Sequence, residues 1–316
     1  MFAARGIAVS LSVFFLVYSG LSFAILCGWE LWRRAGRNSV AACSADGLFA
    51  LRAFPLVISL ALTFAFTVPS FLILEPRSVD EEVGAAPLTF GFCCLLLIML
   101  GTFRAARAQA KASRALAQWL RGAKAVPIAA PVPVFQTEEA APLLSVAGVC
   151  KAKVLVSNTA LGVLNDRELQ TALRHEMAHV RRHDNLKKLI LRFSPFPGMA
   201  NLERAWADAV EISADDAAVS NASDALDLAS ALIKLSRLAP RQAQPLITSG
   251  LLDSSVISVQ ARVERLFSWE EIHKNNVGNS RARFSIPLII AVLAGLITTY
   301  SAVLVQLHQL TEWLVR

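Results

Sequence analysis

The sequence predicts a mainly α membrane protein: four transmembrane helices, with a cytoplasmic domain of helices and a small β-sheet inserted between the third and the fourth. Three observations carry this expectation. Hydrophobic residues make up 55% of the 316-residue chain and charged residues only 17%, which is too apolar for an ordinary soluble domain. Four stretches are long and charge-poor enough to cross a bilayer, at about 7–29, 54–74, 86–103 and 284–306. The region between the last two reads as helices with two short strand-like runs.

The first span is longer than the apolar core of a signal peptide. Trp29, Trp32, Arg33 and Arg34 follow it without an obvious small-residue cleavage site, so a retained helix is expected. The loops set the orientation. Arg33, Arg34, Arg37 and Arg52 follow the first span; Glu75, Asp80, Glu81 and Glu82 follow the second against one Arg77. Arg104, Arg107, Lys111, Arg114, Arg121 and Lys124 follow the third, and Arg281 and Arg283 precede the fourth. Positive residues favour the cytoplasm. The expected arrangement is a multi-pass protein of a bacterial inner membrane, both termini extracytoplasmic and residues 104–283 inside. The expected regions are 1–125 (membrane), 126–283 (cytoplasmic domain) and 284–316 (fourth helix and a short outer tail).

The net charge of +7 is explained by basic residues beside spans, where membrane lipid is the partner; no direct nucleic-acid contact is expected. Arg104 to Arg121 reads as a helix that leaves the membrane or lies on its surface. The five cysteines show no metal spacing and read as apolar filler. Residues 126–142, rich in Pro and Ala, read as a linker. Strand-like runs follow at 143–147 and 154–157. The HExxH helix comes next, with Asn165 and Asp166 able to cap its start; further helices are expected near 185–193, 201–220, 224–238 and 254–268, with SPFPG at 194–198 as a break.

The chemistry begins at RHEMAHVRRHDN, Arg174 to Asn185. His175 and His179 lie four apart, so a helix points both imidazoles at one cation. Glu176 sits about 100° round the helix, within reach of a water there. This is the HExxH arrangement of zinc peptidases. Asn165 and Glu168 have the spacing of a capping box, and Leu169, Ala172, Leu173, Met177 and Val180 form an apolar stripe. His183 lies roughly 12 Å along the axis from His175, too far for one straight helix to use it as a ligand. A third ligand is expected from EISAD, where Glu211 and Asp215 share one face of an otherwise small and apolar helix. Buried carboxylates need partners: a metal ion for Glu211, and the outer ring N–H of a ligating histidine for Asp215. The competing expectation is a solvated acidic stripe that includes Asp208 and Asp216.

HEMAHVRRHDN followed by EISAD resembles the gluzincin pattern of HExxH and a downstream ExxxD. With VLVSNTALGVLNDRELQTALRHEMAHVRRHD and three spans before the domain and one after, the chain is similar to the BlaR/MecR membrane metallopeptidases. The likeness covers 142–220 well, and the span plan extends it to nearly the whole chain. It implies a gluzincin-like zinc peptidase domain with one zinc ion per chain, held by His175, His179 and Glu211, with Glu176 as the base. It implies an endopeptidase that cleaves a cytoplasmic or membrane protein in signal transduction, either a BlaI-like transcriptional repressor or itself. The chain departs from the family in stopping soon after the fourth span, so direct antibiotic sensing by a C-terminal penicillin-binding domain is not expected. The HtpX and CAAX-prenyl-protease group shares both motifs and implies a quality-control or processing peptidase. An inactive scaffold or receptor retaining the zinc fold is a further alternative, against which the intact Glu176 argues. The resemblance also suggests that a substrate strand adds along Leu144, Ser145, Val146, Ala147 and Gly148. His183, Arg182 and Arg262 are candidates for the second oxyanion stabiliser, and Asp184 for a structural role. His273 and His308 are not expected to be ligands. A homo-oligomer is compatible with the sequence.

Overall fold

The computed structural model describes residues 2–35, 43–75, 84–127, 131–138, 142–238, 248–249, 259–269, 304–306 and 309. The chain divides into two compact units, one made of 1–32, 51–100 and 279–316, the other of 33–50 and 101–278.

Among the described residues, three helical stretches are long and apolar enough to cross a membrane. They are α1 (Phe2–Arg34), the run Ala45–Leu74, and α4 (Ala85–Trp119). The middle run consists of α2 (Ala45–Leu62), a π-helical turn (Thr63–Thr67) and α3 (Val68–Leu74). Pro69 offers no backbone N–H and its ring crowds the preceding turn, and the wider π turn accommodates both demands. In the first unit, Ser12 Oγ donates to the Pro87 carbonyl at 2.8 Å, and the buried Arg5 and Glu75 pair at 2.8 Å. The fourth expected span falls almost wholly outside the described residues; Leu304–Gln306 are helical.

In the second unit, α4 carries the basic segment as an unbroken extension of the third apolar stretch. A five-stranded mixed sheet follows, in the order β1-β2-β4-β3-β5. Its strands are β1 (Lys124–Val126), β2 (Val134–Thr137), β3 (Leu144–Ala147), β4 (Lys153–Ser157) and β5 (Thr248–Ser249). Only β2 and β4 run parallel; the other pairs are antiparallel. The expected linker at 126–142 is corrected here, since it contains β2. The prolines masked a run of β-formers, Val134, Phe135 and Thr137, that fits a pleated surface. Pro133, just before the strand, still supplies an acceptor to the N–H of Val154 at 3.1 Å.

The helices are α5 (Asn158–Val163), α6 (Asp166–Arg181), α7 (Asp184–Phe193), α8 (Ala200–Ala218), α9 (Ala222–Leu238) and α10 (Val259–Phe267). Asn165 and Glu168 close a reciprocal capping box at the start of α6. The core combines Val146, Val154 and Val156 of the sheet with Ala172, Leu173 and Met177 of α6, Leu228 and Leu232 of α9, and Val263 and Leu266 of α10. Each larger side chain there contributes about 1.5–3 kcal/mol by leaving water. Cys94 is buried, but Cys150 is exposed and so is not apolar filler.

Candidate metal centre

His175, Glu176 and His179 lie on the middle of α6, all buried. Opposite them runs α8, whose buried residues include Ala205, Ala209, Ala214 and Ala218 beside Val210 and the larger Leu202 and Trp206. Small side chains let two helices approach closely, and the one long acid among the buried residues, Glu211, spans the gap. Ligand atoms of His175, His179 and Glu211 all lie within 4.8 Å of one another, so this buried group can hold a metal ion. The two Nε2 atoms are 3.2 Å apart. Each is 3.7 Å from an oxygen of Glu211, Oε2 for His175 and Oε1 for His179. Two atoms each about 2.0–2.1 Å from one tetrahedral ion stand about 3.3 Å apart, so the spacing fits.

The outer ring nitrogens complete the test. His175 Nδ1 lies 3.0 Å from Asp215 Oδ1, and His179 Nδ1 lies 2.8 Å from Asp184 Oδ2. The hydrogen bond to Asp184 fixes His179 Nδ1 as an N–H position, and the Asp215 carboxylate beside His175 Nδ1 favours the same tautomer there, which turns both Nε2 lone pairs inward. Two lone pairs facing each other across 3.2 Å require a proton or a metal ion between them. Burial pulls the His175 pKa down to about 4, against the opposing pull of Asp215. For His179 burial also acts downward, but the hydrogen bond to Asp184 and the charges of Glu211, Glu176 and Asp184 outweigh it and raise the pKa. Burial would raise Asp215, yet Arg262 and His175 hold it well below the usual carboxylate range.

The competing picture of a solvated acidic stripe is not what α8 presents. Glu211 and Asp215 are 3% and 1% exposed, while Asp216 turns outward to Arg265 at 2.7 Å. The three candidate stabilisers are dispersed. His183 is exposed and lies outside the cluster; its backbone is left-handed (φ 54°) and turns the chain from α6 into α7. That turn swings Asp184 back against His179. Arg182 is half-buried at the rim, donating to Ser213 Oγ at 2.6 Å and Asp46 Oδ1 at 3.2 Å. Arg262 is inside, against Asp215 and Glu211. His273 and His308 lie outside the described residues.

Within the stretch Leu144 to Gly148, where a substrate strand is expected to add, Val146 and Ala147 are already paired on both sides. β5 pairs with Val146 and Ala147, and Asn185 Nδ2 donates to the carbonyls of Val146 (3.3 Å) and Gly148 (3.0 Å). Sequence reasoning missed this pairing because β5 is two residues long. It also missed the roles of Asp184 and Arg262. The first had a signal, an acid at the first position of a new helix five residues after His179. Arg262 had none, being one arginine in an amphipathic helix 51 positions after Glu211. No protein-family model matches the chain, and no curated protein matches it.

Proposed function

We propose that this chain is a membrane-bound zinc endopeptidase of the BlaR/MecR kind, hydrolysing peptide bonds of a cytoplasmic or membrane protein. The observation that carries the reading is the meeting of His175, His179 and Glu211 in one buried cluster, with Glu176 beside it on the same helix turn. The donor set, two imidazoles and one carboxylate, is that of catalytic rather than structural zinc. Zinc held there would polarise the scissile carbonyl and make water acidic enough to attack at neutral pH. Glu176 accepts the proton of the attacking water as the C–O bond forms. It hands that proton to the nitrogen as the C–N bond breaks, giving a carboxylic acid and an amine, which at neutral pH separate as carboxylate and ammonium once the acid's proton passes to the amine. Asp215 and Asp184 keep the two imidazoles in the tautomer that faces inward.

The three apolar helical stretches and the basic residues beside them support a catalytic domain on the cytoplasmic side of a bacterial inner membrane. A regulatory role, in cleavage of a BlaI-like repressor or of the chain itself, follows from the likeness to sensor-transducers. The test is zinc content by mass spectrometry of detergent-purified protein, with hydrolysis of casein and self-cleavage followed in wild type and Glu176→Gln. One zinc per chain with cleavage lost in the variant supports the peptidase. Zinc without Glu176-dependent cleavage points to the scaffold, and no zinc after supplementation defeats the reading. Cutting of any unfolded protein without sequence preference favours quality control over regulation.

A further inference from the structure

Arg262 is 2% exposed, in the interior of the site. Its Nε donates to Asp215 Oδ2 at 2.8 Å and its Nη2 to Asp215 Oδ1 at 2.6 Å, a two-pronged fork. Its Nη1 lies 3.0 Å from Glu211 Oε2. Two guanidinium nitrogens therefore donate to Asp215, and the third lies in ion-pair contact with Glu211. Two prongs reach the residue that holds His175 Nδ1, and the third reaches a ligand candidate itself. The arginine is placed by its own helix, since Val263 and Leu266 of α10 are core residues.

We infer that Arg262 is a positioning residue of the metal centre: one rigid guanidinium sets the Glu211 carboxylate directly and the His175 ring through Asp215. This role rests on the metal-centre reading above, and it differs from the oxyanion stabiliser expected among the candidates. A stabiliser must be free to meet substrate, whereas the N–H groups of Arg262 already meet two buried acids. Electrostatics alone would argue against a cation here, because a buried positive charge repels a metal ion. What the arginine supplies is geometry. The guanidinium is planar with donors at fixed angles, and a lysine ammonium cannot serve both acids in the same way.

The experiment is zinc affinity, measured by chelator competition on the full-length protein in detergent, with no substrate present. Two variants keep the net charge of the site, so changed repulsion cannot explain a result. Arg262→Lys keeps the charge and loses the fork; Arg262→Gln with Asp215→Asn removes one charge of each sign. Loss of an outer partner typically weakens metal binding by about 10–100-fold, and each variant is expected to fall in that range. If Arg262→Lys fails to fold, as judged by circular dichroism of the metal-free protein, the paired variant carries the test. It removes Asp215 together with its charged partner and is read against Asp215→Asn alone, so that only a further loss of zinc is assigned to Arg262 and its contact with Glu211. Zinc binding within about threefold of wild type in the folded variants would overturn the role. Wild type that binds no zinc would instead defeat the metal-centre reading itself.

Discussion

Helix α6 carries two buried polar clusters, and they differ in kind. At its start, the Glu168 carboxylate meets a complete set of donors. Lys234 Nζ lies at 2.7 Å, Ser230 Oγ at 2.6 Å and the N–H of Asn165 at 2.9 Å. Two turns on, Glu176, Glu211, Asp215 and Asp184 gather with two inward imidazole lone pairs, and Arg262 is the buried guanidinium among them. A buried acid with enough donors is a structural tie. A buried surplus of acceptors is a place for a cation, and the surplus separates the two clusters more clearly than burial does.

The contrast can be broken at either end. The largest effect is expected from Glu211→Ala, which should take zinc from about one per chain to near none in mass spectrometry and abolish cleavage. A variant that kept its zinc would remove Glu211 from the ligand set. Next comes Glu176→Gln, which should cut the hydrolysis rate by about 10²–10⁴-fold while zinc content stays level. Asp184→Asn should weaken zinc by about 10–100-fold in chelator competition, because an amide, which also donates, replaces the charged acceptor-only partner that fixes the His179 tautomer. Unchanged affinity would leave Asp184 as a first-turn acid of α7 only.

The smallest effect on the metal, none, is expected from Glu168→Ala. It should lower stability by about 1–3 kcal/mol in denaturant titration, through loss of three hydrogen bonds, one of them the Glu168 half of the capping box. The same carboxylate gives a pH signature. Burial acts to raise its pKa, but Lys234, Ser230 and the Asn165 N–H outweigh this and hold it below its ordinary value of 4.5. The fold therefore favours the charged form. The contribution is complete above the ordinary value and fades as acid titrates the group through its folded pKa, and Glu168→Ala should flatten that acid limb.

Local signals made much of this molecule legible in advance. Hydropathy placed the three described apolar stretches. The capping-box spacing narrowed the start of α6 to Asn165 or Asp166, and four-residue spacing placed His175 above His179. EISAD pointed to α8 because an acid among alanines has to find a partner. Contacts between distant segments were harder to read. β2 was hidden by prolines that mark a loop by composition while still feeding the sheet. β5, a two-residue strand, has no period to detect. The link from Arg262 to Asp215 joins helices 47 positions apart, and nothing local to either residue announces the other. His183 shows the reverse case. Its regular spacing continues the histidine series, but a left-handed backbone ends α6 before that spacing can act.

The three residues that could hold an ion come from helices on either side of α7 and the SPFPG break. An ion shared by His179 and Glu211, 32 positions apart, would staple that excursion shut much as a disulfide closes a loop. The unfolded chain has no such preformed cage, so the ion would act as a tether on the native state. Thermal unfolding should then shift with free zinc, by about 2.7 kcal/mol at a hundred times the dissociation constant. A chelator would do to this domain what a reductant does to a secreted one.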